Sequence, residues 1–495
     1  MAPPSHSPPS HWKGIRKPFL LAVTGSFVLL QLLFLGNFSY LYGTQFQSTD
    51  RAHNFNILLV DYDGGVVGRS LNAAYQALKG DSFPTLDQRA TTDYPTTKDI
   101  QEAVCRGSYW AAIYSNTDAS TRLSSALNDE TAAADYQSTD ALSYVWNEAR
   151  YPAESDAELL SNLQMLVSYA RSAYYKINGT AVAQFATLTK PAILQVFADP
   201  IEAMANNIQP TVQGTRVLYN TVTMVLPIIQ QFFFLMALNG VSSQFQLYTQ
   251  LGYFLNGMIR AGLSAAYTLL GSLCTAGYIW AYRENWGVNG NQFALTWMVF
   301  WLYMQINFLI LDTATAYIPM QFMPFFVLTW AITNVASSIA PFEMSPGFYR
   351  WGYALPAHEV YSLLAEVWSG GCAKQSYRAL PILFAWWIVG MVAVVYATRY
   401  RCTTAVRAQA MASASTTGQR VSVLSSGEVQ ESQDEDSHPA PSGLPSASGR
   451  ERAQSQSLSQ TQAYELYELE RNAYSPSYPT PLVRRQSQAY SRLGN

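Results

Sequence analysis

Apolar residues along this chain gather into blocks that lack charge altogether. Residues 217–259, 261–282, 285–311, 313–342 and 379–398 contain no Asp, Glu, Lys or Arg. The hydrocarbon core of a bilayer requires about 20 mostly apolar residues per spanning helix, so these blocks predict membrane segments. The stretch from Pro18 to Thr49 is also free of charge and is most apolar between Phe19 and Leu35. It continues into Asn37-Phe-Ser-Tyr-Leu-Tyr42 without a small-x-small cleavage pattern, which predicts an uncleaved signal anchor. Six helices are therefore expected, at 18–42, 217–239, 258–282, 293–312, 318–340 and 379–399. Lys13, Arg16 and Lys17 precede the first, and Arg399, Arg401 and Arg407 follow the last. Positive flanks stay in the cytosol, so both termini are expected there, as an even number of spans requires.

The pattern between the first two helices is different. Residues 43–215 are enough for one globular domain with its own core. Ile57–Val60 reads as a strand, Leu71–Leu78 as a short helix stopped by Gly80, and Tyr109–Ser115 as a second strand. A Ser155-x-x-Glu158 capping box predicts the start of a helix whose apolar positions Leu159, Leu163, Leu166, Val167, Ala170 and Tyr174 recur at helical spacing. The expected fold is thus an α-helical polytopic membrane protein with about six transmembrane helices and an α/β extracytosolic domain inserted between helices 1 and 2. Its parts are a cytosolic N-terminus (1–17), the signal anchor (18–42), the external domain (43–215), a five-helix membrane domain (216–402) and a cytosolic tail (403–495). The stretch Tyr248–Ile259 reads either as an interfacial helix or as the start of a longer third span.

Charge alters this picture little. The whole chain carries a formal charge of -3, which gives no reason to expect a nucleic-acid partner. The external domain holds 19 acidic and 11 basic residues, a net of -8. The tail beyond Arg407 turns to Ser, Gln, Ala and Pro with few large aliphatics, too few to bury a core. It contains candidate phosphorylation sites at Ser432, in an acidic context, and Ser487, in a basic one.

One motif points towards chemistry. The run Asn56-Ile-Leu-Leu-Val-Asp-Tyr-Asp-Gly-Gly65 looks like the first motif of a haloacid-dehalogenase phosphatase, with Asp61 as nucleophile and Asp63 as general acid. The domain, however, offers no second acidic pair after an apolar strand to complete a Mg²⁺ site, and Gly65 stands where a Thr usually follows. The same residues are accounted for by a strand, a turn and a helix start: the aspartates satisfy the turn and Gly64-Gly65 permit positive φ. No enzymatic activity, catalytic residue, cofactor or metal site is expected.

Four cysteines are spread through the chain. Cys105 in the external domain and Cys372 in the loop between helices five and six share an expected oxidising side and form a candidate disulfide. Cys274 reads as a small packing residue within a span, and Cys402 as a candidate for palmitoylation. Asn178-Gly-Thr180 is a glycosylation acceptor; Asn37-Phe-Ser39 matches the pattern too close to the membrane to be reached.

Three stretches, Ile57–Gly68 directly after a single N-terminal span, Val225–Gly240, and Phe348-Tyr-Arg-Trp-Gly-Tyr-Ala-Leu-Pro-Ala-His358, resemble the fungal nitrosoguanidine-resistance membrane proteins. The resemblance runs from about residue 15 to 402. It implies a six-helix protein similar to the membrane half of type-2 ABC exporters and to phage-infection-type proteins, in a family linked to resistance to toxic small molecules and to lipid asymmetry. No Gly-Lys dipeptide occurs in the chain, so it has no P-loop.

Charged residues within or between the spans are the remaining candidates. Arg260 reads as a snorkelling anchor near the cytosolic end of the third helix, and Asp312, at the cytosolic end of the fourth, as a proton or cation site or as an acid that still reaches water. The loop before the last helix carries Arg350, Trp351, His358 and Glu359 among further aromatic residues. One His without a second nearby is weak support for zinc. Two function classes follow. The chain moves or exposes an amphipathic drug or lipid, or it is a non-transporting regulator or assembly factor whose external domain and tail bind a protein partner. Membrane lipids are partners in either case, and the plasma membrane is expected, with an internal membrane as the alternative.

Overall fold

The computed structural model describes residues 10–186 and 188–431, and the chain there is mostly helical with one small mixed sheet. The candidate phosphosites Ser432 and Ser487 lie outside the described residues. Helix α1 (Ser10–Thr44) leads into the sheet domain, formed by β1 (Asn56–Asp61), α2 (Val66–Leu78), β2 (Thr85–Arg89), α3 (Thr97–Cys105) and β3 (Ala111–Ser115). It continues through α4 (Ala119–Asn128), α5 (Glu130–Asp135), β4 (Leu142–Trp146), α6 (Pro152–Glu154), α7 (Ser161–Phe185), α8 (Pro191–Ala198) and β5 (Ala203–Asn207). The strand order is β2-β1-β3-β4-β5, with every neighbouring pair parallel except β3 and β4.

Strand alternation explains the core. Leu58 and Val60 of β1 join Ile100, Ala103 and Val104 of α3 and Val145 of β4 in one buried cluster, so both β1 faces are covered once Ile57 and Leu59 turn the other way. All six periodic apolar positions are buried, Leu159 just before α7 and Leu163, Leu166, Val167, Ala170 and Tyr174 on it, and α2 packs along this helix.

The start of that helix differs from expectation. The helical run begins at Pro152, whose fixed φ suits the first helical position, and passes through a π-helical stretch over Ser155–Leu160. Ser155 is therefore already inside the helix, with αR backbone angles and a buried hydroxyl that caps nothing. The capping box is realised elsewhere, at Thr96 and Asp99 of α3.

The remaining helices are α9 (Val222–Gln244), α10 (Leu247–Gln250), α11 (Tyr253–Ala281), α12 (Gly290–Tyr317), α13 (Met323–Ser338), α14 (Pro356–Trp368) and α15 (Ser376–Glu431). Among the described residues four segments, Arg16–Thr44, Val222–Gln244, Gly290–Tyr317 and Ser376–Met411, are long and apolar enough to cross a membrane. Contacts divide the chain into two compact units, one of residues 1–232 and 260–397 and one of 233–259 and 398–495. In the first unit α1 packs on α13, and α14 rests on α12 and α13. Asn37 of α1 donates to Thr329 Oγ1 of α13 (3.2 Å), so this side chain is a helix-to-helix tie. Cys274 is exposed on α11 rather than packed, because it faces outward from the bundle. In the second unit Cys402 is buried and takes a contact from Asn256 Nδ2 (3.7 Å), so its thiol is covered rather than presented for acylation.

Candidate functional site

The Asp-x-Asp-Gly motif lies at the end of β1, where the chain turns into α2. Asp61 Oδ1 accepts hydrogen bonds from the backbone N–H of Asp63 (3.1 Å) and Gly64 (3.0 Å) and from the Ser115 hydroxyl. Asp63 accepts from the N–H of Ser120 (2.7 Å) and Gly65 (3.0 Å) and from the Ser120 hydroxyl. Gly64 has φ +62°, which glycine adopts without steric cost, and a Cβ on Gly68 would lie 2.2 Å from both Asp61 carboxylate oxygens. The glycine pattern thus serves a turn stapled by two carboxylates.

A second constellation lies where the sheet domain meets the segment after α13. The Cys105–Cys372 disulfide joins the end of α3 to the loop after α14, and the Ala373 N–H donates to the Cys105 carbonyl. Asn147 donates to Ser369 Oγ (3.1 Å), Trp110 Nε1 to Glu343 Oε1 (3.3 Å), and the rings of Tyr151 and Tyr361 meet edge-on at 4.9 Å. Between these ties is a cavity of about 220 Å³ walled by Trp110, Arg150, Tyr151, Glu343, Tyr353, His358, Tyr361 and Arg378, among others.

Burial pushes the His358 pKa down to about 3, so the ring is neutral at pH 7. Its Nδ1 lies 2.8 Å from the Ser337 carbonyl, which only accepts, so the proton sits on Nδ1 and leaves Nε2 to accept from Arg378 Nη2 (3.4 Å). Arg378 also pairs with the buried Glu359 (3.2 Å), whose pKa burial raises, and lies 4.8 Å from the centre of the Tyr353 ring. Arg150 stacks on Trp110 with its guanidinium carbon 3.4 Å from the ring centroid. Burial lowers its pKa, against the attraction of Glu343, and a guanidinium keeps its charge at any ordinary pH.

The four candidate residues of the loop before the last helix are separated. His358 and Glu359 are buried beside the cavity, whereas Arg350 and Trp351 are exposed, with Trp351 6.1 Å from the Tyr40 ring of α1. Trp110, Arg150 and Arg378 were not legible as site residues: Trp110 meets Glu343 far away in the chain, Arg150 meets the Trp110 ring, and Arg378 meets α14 across a loop. Asn178 lies within α7, half-buried beside Tyr174.

In the helix bundle, two residues expected to act apart form one pair. Arg260 and Asp312 are only 2% and 0% exposed and make an ion pair through Arg260 Nη2 and Asp312 Oδ1. α11 begins at Tyr253 and α12 continues to Tyr317, so Arg260 is no end-anchor and Asp312 no terminal acid. A charge in an apolar bundle is costly alone, and here each supplies the other's counter-ion. Among the described residues no group of three or more His, Cys, Asp or Glu side chains is placed to hold a metal ion.

Residues 26–392 match the family described as protein of unknown function (DUF3533). The chain belongs to that family. An uncharacterized endoplasmic reticulum membrane protein of Saccharomyces cerevisiae is 22% identical over 414 residues, which cover 75% of this chain and 78% of that protein. No solved structure matches the chain. With a membrane protein as relative and four helices suited to crossing a bilayer, this DUF3533 protein is an integral membrane protein.

Proposed function

We propose that this DUF3533 protein moves or exposes amphipathic compounds or lipids without an ATPase of its own. The observation that carries the reading is the aromatic cavity bearing charges of both signs whose floor, α14, rests directly on helices α12 and α13. Gln292 of α12 donates to the Val367 carbonyl (2.9 Å) and Trp368 Nε1 to Thr296 Oγ1 (3.0 Å), so a group bound there bears on the bundle. At about 220 Å³ the cavity is smaller than the roughly 300–1,000 Å³ of sites that enclose a drug-sized molecule. It suits the polar end of an amphiphile whose apolar part stays in the bilayer.

In this reading α11 and α13 complete six spans. The 29 residues of α11 reach about 43 Å at 1.5 Å each, and α13 is extended by the turn Met320–Phe322. Basic flanks then keep both termini cytosolic, and the disulfide supports a position of the sheet domain outside the cytosol. The resemblance to resistance proteins favours the plasma membrane and the name of the yeast relative an internal one; a fluorescent fusion imaged with markers of both separates them.

The test is purified protein in liposomes carrying labelled phospholipids or an amphipathic dye. Movement above protein-free liposomes is expected. Its absence, with altered lipid distribution in cells lacking the gene, would replace this reading by that of a regulator acting on another transporter.

A further inference from the structure

We propose that the cavity recognises a headgroup carrying both an oxyanion and a cationic amine, the oxyanion held by Arg150 and the amine by Glu343. The inference rests on the cavity's being the amphiphile site and names the chemistry that it selects.

The two arginines in the wall are in different states. Arg378 spends its donors on Glu359 and His358. Arg150, among the described residues, makes no ion pair and no side-chain hydrogen bond with the protein; its guanidinium stacks on Trp110. A guanidinium lying flat on a ring keeps all five N–H donors in its own plane, directed outward along its edge. Arg150 lines the cavity. A planar fork of N–H groups matches two oxygens of a phosphate or carboxylate, and such a bidentate pair is among the strongest polar contacts available to a protein.

An anion alone is a poor fit, because Glu343 lines the same cavity and is the largest charged influence on Arg150. Glu343 Oε1 accepts from Trp110 Nε1, which fixes the carboxylate against the ring that carries Arg150. A cation alone meets the opposite objection at Arg150. A group bearing both signs satisfies both walls at once, with Tyr151, Tyr353 and Tyr361 as aromatic sides that suit an ammonium.

The experiment is a titration of the purified full chain in detergent, read by calorimetry, with phosphoethanolamine and phosphocholine as probes and inorganic phosphate and ethanolamine as their halves. The zwitterions are expected to bind at least tenfold more tightly than either half. Arg150→Gln should weaken zwitterion binding tenfold or more. Glu343→Gln should remove the preference for the zwitterion over phosphate, and Arg350→Gln, on the exterior, should change nothing. Arg150→Lys keeps the charge without the fork and should lose part of the affinity, which preserves the test if the Gln variant fails to fold.

Equal binding of phosphate and zwitterion, no binding of any probe, or unchanged affinity in both Arg150 variants would overturn the proposal. Competition by a short-chain phosphatidylethanolamine identifies a lipid as the source of the headgroup, and lack of competition identifies a soluble compound; both support the proposed chemistry. Loss of binding with liposome movement intact rejects this inference alone, whereas binding without movement rejects the transport reading alone.

Discussion

The half-buried acids of the sheet domain and the buried acid of the helix bundle are satisfied by different means. Asp61 and Asp63 close a turn, where backbone N–H groups and the Ser115 and Ser120 hydroxyls donate to them and no cation is needed. Asp312 sits in a helix whose backbone donors are already used, so a full positive charge, Arg260, has to come from another helix. Glu154 shows a third solution: one carboxylate oxygen is buried without a hydrogen-bond partner, and burial raises its pKa to about 7. A turn supplies dipoles, a helix bundle supplies counter-ions, and a site with neither holds its proton to higher pH.

The sharpest way to break this comparison is to remove one member of the bundle pair. Asp312→Ala or Arg260→Ala should each cost about 3–5 kcal/mol, because the survivor stays buried without its counter-ion from the other helix. The double variant Arg260→Met, Asp312→Leu should recover most of that. Thermal unfolding of the purified proteins measures it, and a double variant as unstable as the singles would show that the pair does more than neutralise itself.

Next in size is the covalent tie between the sheet domain and the loop after α14. Cys105→Ser should lose about 2–4 kcal/mol, and Cys372→Ser about the same, since both open the same loop. A single cut in the chain between residues 105 and 372 should leave the wild type as one band on a non-reducing gel and split either variant into two.

Glu154 gives a smaller effect whose sign depends on pH. Its folded pKa, about 7, lies above the usual 4.5, so the folded chain holds a proton that the unfolded chain releases. Stability is therefore lost as pH rises from about 4.5 through 7. Glu154→Gln should remove this slope and gain roughly 1–3 kcal/mol at pH 8 and little at pH 5, read as melting temperature against pH. The smallest change is expected at the turn. Asp63→Asn keeps one acceptor and should cost about 1 kcal/mol, against several for the same replacement at Asp312.

The sequence was legible where one element explains itself. The α7 stripe from Leu159 to Tyr174 follows from helical spacing alone, and the charge-free blocks announce the bundle. It was not legible where a segment borrows its form. Ala203-Met-Ala-Asn-Asn207 has little strand propensity and becomes β5 at the sheet edge through its pairing with β4. Arg260 and Asp312 stood out singly as charges among apolar residues, but only helix packing reveals them as partners. Arg150 carries no local mark, because Trp110 and Glu343, which give it a role, lie in separate segments.

The bridge from Cys105 to Cys372 spans 267 positions, and helices α9, α11, α12 and α13 all lie within the ring that it closes. At roughly 5–20 residues per second, synthesis delivers the second sulfur about 13–53 s after the first. During biogenesis Cys105 must stay unclaimed for that interval, so closing the ring records that the intervening helices have been made.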